Sequence, residues 1–169
     1  MPGENLTRSE AIERAAAIAT ERYRIELDLR GEDTFSSITT IEFAATAAET
    51  FVDLIGTVNS IMLNGEQIDP SAPVDSRIHL TGLRDHTTLV VDATCRFMNT
   101  GEGMHRFVDP VDGETYLYTQ FEVADARRVF AVFEQPDLKA ACTSDVTAPS
   151  HWQVVSNSPT PDPTPVDET

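Results

Sequence analysis

The chain has 169 residues, enough for one domain whose core needs no disulfide staple. Twelve Lys and Arg stand against 28 Asp and Glu, a formal charge of −16 that opposes a phosphate backbone and excludes nucleic acid and anionic membrane as partners. The acidic residues are spread along the chain and read as a solvated surface, while Cys95 and Cys142 lack C-x-x-C spacing and a nearby His pair and read as two buried thiols.

Met1 to Asn5 has no basic start followed by an apolar stretch, and no segment reaches the ~20 apolar residues of a membrane helix, so a soluble cytoplasmic protein is expected. Thr7 followed by Glu10 forms a capping-box pattern ahead of an Ala-rich run, which predicts a helix over Thr7 to Glu21 within an N-terminal helical segment, 1–22. Ile12, Ala15, Ala16 and Ala19 share the face expected to dock.

From Tyr23 the period changes to two. Tyr23, Ile25, Leu27 and Leu29 alternate with charged residues, a half-buried strand, and Gly31-Glu32-Asp33 turns the chain. Phe35 to Thr46 is the return strand, with Ile38, Ile41 and Phe43 as candidate core. Short strands follow at Phe51 to Leu54, Val58 to Leu63, Arg77 to Thr81 and Thr87 to Phe97. Asn64-Gly65 is a type I′ hairpin signal, because that turn needs positive φ at both central residues. Asp112-Gly113 is a second tight-turn signal, joining Phe107-Val108 to Tyr116-Leu117-Tyr118, and Cys142 to Thr147 and Trp152 to Asn157 read as late strands. Strands separated by turns, with one helix, give the expected class: mainly β, an antiparallel saddle-like β-sandwich with an N-terminal helix, its β domain spanning 23–157. The Pro-rich stretch 158–169 cannot join a central strand and reads as an extended, mobile connector.

The sequence lacks the motifs of a self-contained enzyme. His79, His86, His105 and His151 form no His-Glu-x-x-His helix or other metal spacing, and no Gly-x-Ser-x-Gly elbow, phosphate loop or dinucleotide fingerprint occurs. Gly101-Glu102-Gly103 is too short to cradle phosphate and reads as a flexible lip. In the strand ending near Gln120 and Glu122, alternation would place those two side chains on one face and Phe121 on the other. A carboxylate and an amide oxygen so placed can converge on an ammonium, and hydrogen bonds to a charged group contribute about 1.5–3 kcal/mol. The plainer reading, the solvent face of an edge strand, is the one that strand chemistry alone favours. Asp125-Ala126-Arg127-Arg128 reads as a short helical turn whose arginines hold Glu122 or Asp137 or stand in water.

Tyr118-Thr119-Gln120-Phe121-Glu122, then Asp125-Ala126-Arg127-Arg128-Val129-Phe130 through Gln135-Pro136-Asp137-Leu138-Lys139-Ala140, resemble the signature closing the amino-terminal domain of the aminopeptidase N family, gluzincin-type zinc aminopeptidases, here in a bacterial cytoplasmic form. Gly103 to Phe107, Thr147-Ala148-Pro149, Trp152 and Val155-Ser156-Asn157 extend the likeness. The resemblance implies a saddle-like β domain set against a catalytic domain, and a parent that removes N-terminal residues from peptides with zinc. It implies that Gln120 and Glu122 bind substrate, Glu122 at the α-ammonium. The family's Gly-Ala-Met-Glu-Asn and zinc motifs do not occur in this chain, so no catalytic residue and no metal ligand is expected here; zinc belongs to the parent, and the chain alone should be inactive. Val132 and Glu134 depart from the family's usual Cys and Asp. The alternative is a stand-alone β-sandwich binding or interaction module without an enzymatic parent.

Overall fold

A computed structural model describes residues 5–69 and 76–166. The outermost parts of the predicted end segments, 1–4 and 167–169, and the stretch 70–75 of the β domain lie outside the described residues.

Helix α1 (Arg8–Ala17) opens with the capping box the sequence announces: Thr7 accepts from the Glu10 backbone N–H, and Glu10 accepts from that of Thr7. It ends four residues earlier than expected. Ile18 is already extended and begins β1 (Ile18–Asp28), whose first residues pair with β2 (Thr34–Ala45) as Ile18↔Ala45 and Ala19↔Ala44. A sheet partner thus overrides the helical propensity of the Ala run. The docked face is also corrected. Ile12 is 61 % exposed and Ala15 and Ala16 face solvent, whereas Arg14 is only 4 % exposed.

The remaining strands are β3 (Glu49–Asp53), β4 (Thr57–Leu63), β5 (Glu66–Ile68), β6 (Arg77–Thr81), β7 (Thr87–Arg96), β8 (Gly103–Val108), β9 (Thr115–Gln120) and β10 (Ala141–Thr147). A six-stranded sheet runs β10-β1-β2-β7-β4-β5, and β3-β6 and β8-β9 form two-stranded sheets. All pairs are antiparallel except β1 with β10, which makes the large sheet mixed. Mainly β with one short N-terminal helix is the class read from the sequence. Asn64 and Gly65 turn β4 into β5 at φ 53° and 83°.

The inner face of the large sheet is built in rows. Tyr23, Ile41, Leu89 and Leu63 stand opposite one another across four strands, and Ile25, Thr39, Val91 and Ile61 form the next row. Each fully buried Leu, Ile or Phe contributes about 1.5–3 kcal/mol, and a one-residue slip would turn a whole row to water, so burial fixes the register. Here the sequence reading of β2 is corrected: the inward positions are Phe35, Ser37, Thr39, Ile41 and Phe43, and Ile38 lies on the other face, half-buried. Polar Ser37 and Thr39 interrupt the apolar alternation. Thr39 has a partner, its hydroxyl accepting from the Ala131 N–H at 3.2 Å, and the Tyr23 hydroxyl likewise accepts from Phe133 N–H at 3.1 Å.

Those two bonds hold a crossing segment over the sheet. Val129, Ala131 and Phe133 point into the core, and Phe133 meets Phe43 edge to face at 5.2 Å. On its other side Val132 exchanges both backbone hydrogen bonds with Asp53, tying the segment to β3. The segment therefore runs alongside β3, at the edge of the β3-β6 pair, and packs over the large sheet.

Three further expectations need correction. Trp152 to Asn157 forms no strand: Trp152 N–H closes a turn on Pro149, and no described segment offers it a ladder. Cys95 is buried, with its thiol pushed up to about 12 by burial, but Cys142 lies exposed on edge strand β10. The β8-β9 hairpin forms where the sequence places it, but its turn is wider than the Asp112-Gly113 signal: Val108 pairs with Thr115 across a six-residue loop, closed by Gly113 N–H to Asp109 O at 2.8 Å. Residues 159–166 are exposed and carry no regular element.

Candidate functional site

The β8-β9 hairpin carries the first candidate. Its register pairs Phe107 with Tyr116, His105 with Tyr118 and Gly103 with Gln120, so these residues share one face. That face is aromatic and open: Phe107, Tyr116 and Tyr118 are 47–51 % exposed, and His105 stacks on Tyr118 at 4.7 Å while its Nδ1 accepts from Gly101 N–H. Gln120 ends the strand at the tip of this face.

Glu122 lies beyond the strand, so alternation is not what brings it to Gln120. The chain turns instead, with Asp125 N–H donating to Phe121 O, Ala124 at φ 58° and a cis Glu122–Val123 peptide. Glu122 N–H donates to Gln120 Oε1 at 3.2 Å, which sets the two residues side by side. The amide oxygen keeps one lone pair for another donor. Both side chains are exposed, and among the described residues the Glu122 carboxylate has no hydrogen bond or ion pair. Phe121 turns away and meets Phe130 edge to face at 5.7 Å. A cleft of about 640 Å³ has Arg96, Phe97, Arg106 and Arg128 on its walls, but neither Gln120 nor Glu122 lines it. The Gln120–Glu122 pair therefore sits on an open rim.

Behind the rim lies a polar hub that the sequence reading missed. Arg127 is buried, with Nε donating to Ala124 O at 2.9 Å, its backbone N–H to Glu134 Oε2 at 2.9 Å, and Nη1 3.9 Å from Asp53 Oδ1. Arg128 pairs with Asp125 at 2.6 Å and Glu102 at 3.1 Å. The arginines thus hold Asp53, Glu134, Asp125 and Glu102, not Glu122 or Asp137. Glu102 belongs to the stretch read as a flexible lip, and this pairing fixes it. Gly103 lies under the Arg128 stem at φ 62°, where an added Cβ would stand 2.7 Å from the Arg128 Cβ.

From the other side Arg14 enters the same hub. Its Nε donates to Gln135 Oε1 at 2.9 Å, and Nη1 lies 3.3 Å from Phe51 O and 3.5 Å from Asp53 Oδ2, with the guanidinium over the Phe51 ring. Burial pushes the Asp53 carboxyl up, and the charges of Arg14 and Arg127 oppose that. Burial also raises Glu134, opposed by its bond from the Arg127 N–H. An Arg four residues after Glu10 in an Ala-rich helix was the available signal, since it repeats the docked-face spacing. Val132 and Glu134, the positions departing from the family pattern, both serve this scaffold, through Asp53 and Arg127.

Among the described residues no group of three or more His, Cys, Asp or Glu could hold a metal, so these residues do not supply a zinc site. No helix among them is long and apolar enough to cross a membrane.

Comparison with known proteins gives a consistent set. A family model described as the Peptidase M1 N-terminal domain matches residues 19–168. An Aminopeptidase N from Streptomyces lividans is 53% identical over 171 residues, covering 96% of this chain and 20% of that protein. An Aminopeptidase N from Acetobacter pasteurianus is 41% identical over 83 residues, 46% of this chain and 23% of its own length. The crystal structure of an M1 zinc metallopeptidase variant from Deinococcus radiodurans matches with a TM-score of 0.61 at 19% identity, over 77% of this chain and 32% of its own, a likeness of fold. The chain spans about a fifth of the length of the curated relatives it matches.

Proposed function

This chain belongs to the peptidase M1 N-terminal domain family, and from that premise we propose that it supplies the amine-recognising part of a zinc aminopeptidase, with Glu122 binding the substrate's α-ammonium and Gln120 beside it. The observation that carries this reading is the Gln120–Glu122 pair: a carboxylate without a counter-charge among the described residues, held next to an amide by a 3.2 Å hydrogen bond. An ammonium has three donors and a full charge, so it complements one carboxylate oxygen and one amide oxygen together. A blocked N-terminus offers neither the charge nor the donors.

Exposure decides how strong this recognition is in the chain alone. An ion pair in water contributes ~0–1 kcal/mol, and the same pair gains strength only once water is excluded. A covering wall is therefore part of the proposal. The aromatic face of the β8-β9 hairpin, contiguous with Gln120 and too apolar for an ordinary solvated strand, is the surface we assign to the parent's catalytic domain. The zinc and its activated water belong to that domain, and this chain's share of the work is to bind and orient the free amine. The exposed free thiol of Cys142 accords with a reducing, cytoplasmic setting.

The test uses the 169-residue chain. In an NMR titration L-alaninamide should perturb the Gln120 and Glu122 signals only in the ~0.1–1 M range that an exposed contact of this strength allows, and N-acetyl-alaninamide should not. Glu122→Gln should remove the difference. Equal response to both probes would overturn the reading.

A further inference from the structure

We propose that α1 is a clamp that positions the Phe121–Asp125 turn, with Arg14 as its anchoring residue. The family match begins at residue 19, after the helix has ended. Yet the helix is wired into the hub behind the candidate site. Arg14 donates to Gln135 Oε1 at 2.9 Å while Gln135 Nε2 donates back to Ala11 O at 2.9 Å, a reciprocal latch between helix and crossing segment.

Two routes run from this end of the chain to the turn. In the first, Arg14 holds one oxygen of Asp53 at 3.5 Å, the other oxygen faces Arg127 at 3.9 Å, and Arg127 donates to Ala124 O, two residues past Glu122. In the second, Asn5 Oδ1 lies 3.4 Å from Arg127 Nη2 directly, while Arg77 secures the stretch by donating to Glu10 at 2.7 Å and to Asn5 O at 3.4 Å. Both routes converge on the guanidinium that fixes the Ala124 carbonyl.

The choice of residue argues for direction over bulk. A buried guanidinium whose Nη2 has no hydrogen-bond partner among the described residues is a costly way to dock a helix, and an apolar side chain of similar size would dock it as well or better. What arginine adds is a planar fork that aims Gln135, Phe51 O and Asp53 in fixed directions. Arg14 is therefore a positioning residue, acting through Asp53 and Arg127 and touching no substrate. Its effect on recognition rests on the amine reading above; its effect on the turn does not.

Site-resolved hydrogen exchange separates the two. Arg14→Met should speed exchange at Asp125, Arg127 and Arg128 about tenfold while amides of β2 and β7 stay within about twofold, the pattern of a local opening. Asn5→Ala, at an exposed position that should leave folding intact, should raise the same amides by a smaller factor. In parallel, Arg14→Met should weaken the apparent affinity for L-alaninamide at least ~3-fold, a change that helix docking alone would not produce. No change at the turn, or an equal rise throughout the chain in both variants, overturns the clamp. A local rise with unchanged alaninamide affinity overturns its positioning role. A local rise in a chain whose wild type binds no alaninamide supports the clamp and sinks the Glu122 assignment.

Discussion

Single charged residues divide into two kinds according to whether their partners are already in place. Glu10 is fully committed: the Arg77 side chain and the Thr7 backbone and hydroxyl hold its carboxyl down at about 2, from 4.5. Because the folded value lies below the unfolded one, the stabilisation is complete above 4.5 and disappears as pH falls through about 2. Glu10→Gln should therefore lower Tm near neutral pH and have little effect at about pH 2, as thermal melts at the two pH values will show. Equal destabilisation at both would mean that Glu10 acts through packing alone. Glu122 is the opposite kind, open and uncommitted among the described residues. Its removal should leave the fold as it is, which makes it a clean probe of function.

Elements were legible in the sequence wherever local signals and burial agreed. The Thr7–Glu10 cap, the Asn64-Gly65 turn and the inward face of β1 from Tyr23 to Leu29 follow from period and turn chemistry alone. Errors arose where a distant partner decided. In β2 the sequence offers Ile38 as core, but Ser37 and Thr39 take the inward positions beside it, and Thr39 serves a crossing segment 92 residues away. The helix face was misread because Arg14 is buried by Asp53, Gln135 and two Phe rings, none of them local. Gln120 and Glu122 are candidates by motif resemblance; alternation offered the same pair on a geometry that the structure does not have, since the strand ends at Gln120. Gly103 is the element-level test of the hairpin's seating. Gly103→Ala imposes a left-handed φ on alanine and pushes its Cβ into Arg128, so it should cost ~1–3 kcal/mol in a denaturant titration. A neutral result would show that Arg128 moves freely and that the Glu102 and Asp125 pairs do not fix the hairpin.

At the scale of the whole molecule the fold is a platform with two working edges. One end receives α1 at the hub; the other carries an exposed aromatic hairpin and a carboxylate uncommitted among the described residues. The charge of −16 is spread too widely to single out any one cationic group by itself. In the proposed function selection falls to Glu122. On the proposed function, in a protein extended to the length of the relatives, Glu122→Ala should lower kcat/KM for an aminoacyl p-nitroanilide at least about 100-fold, in line with a lost charge-assisted contact, and leave Tm within about 2 °C. Unchanged kcat/KM with a native Tm, or a collapse of Tm that accounts for the lost activity, would contradict the assignment of Glu122 to the substrate's amine.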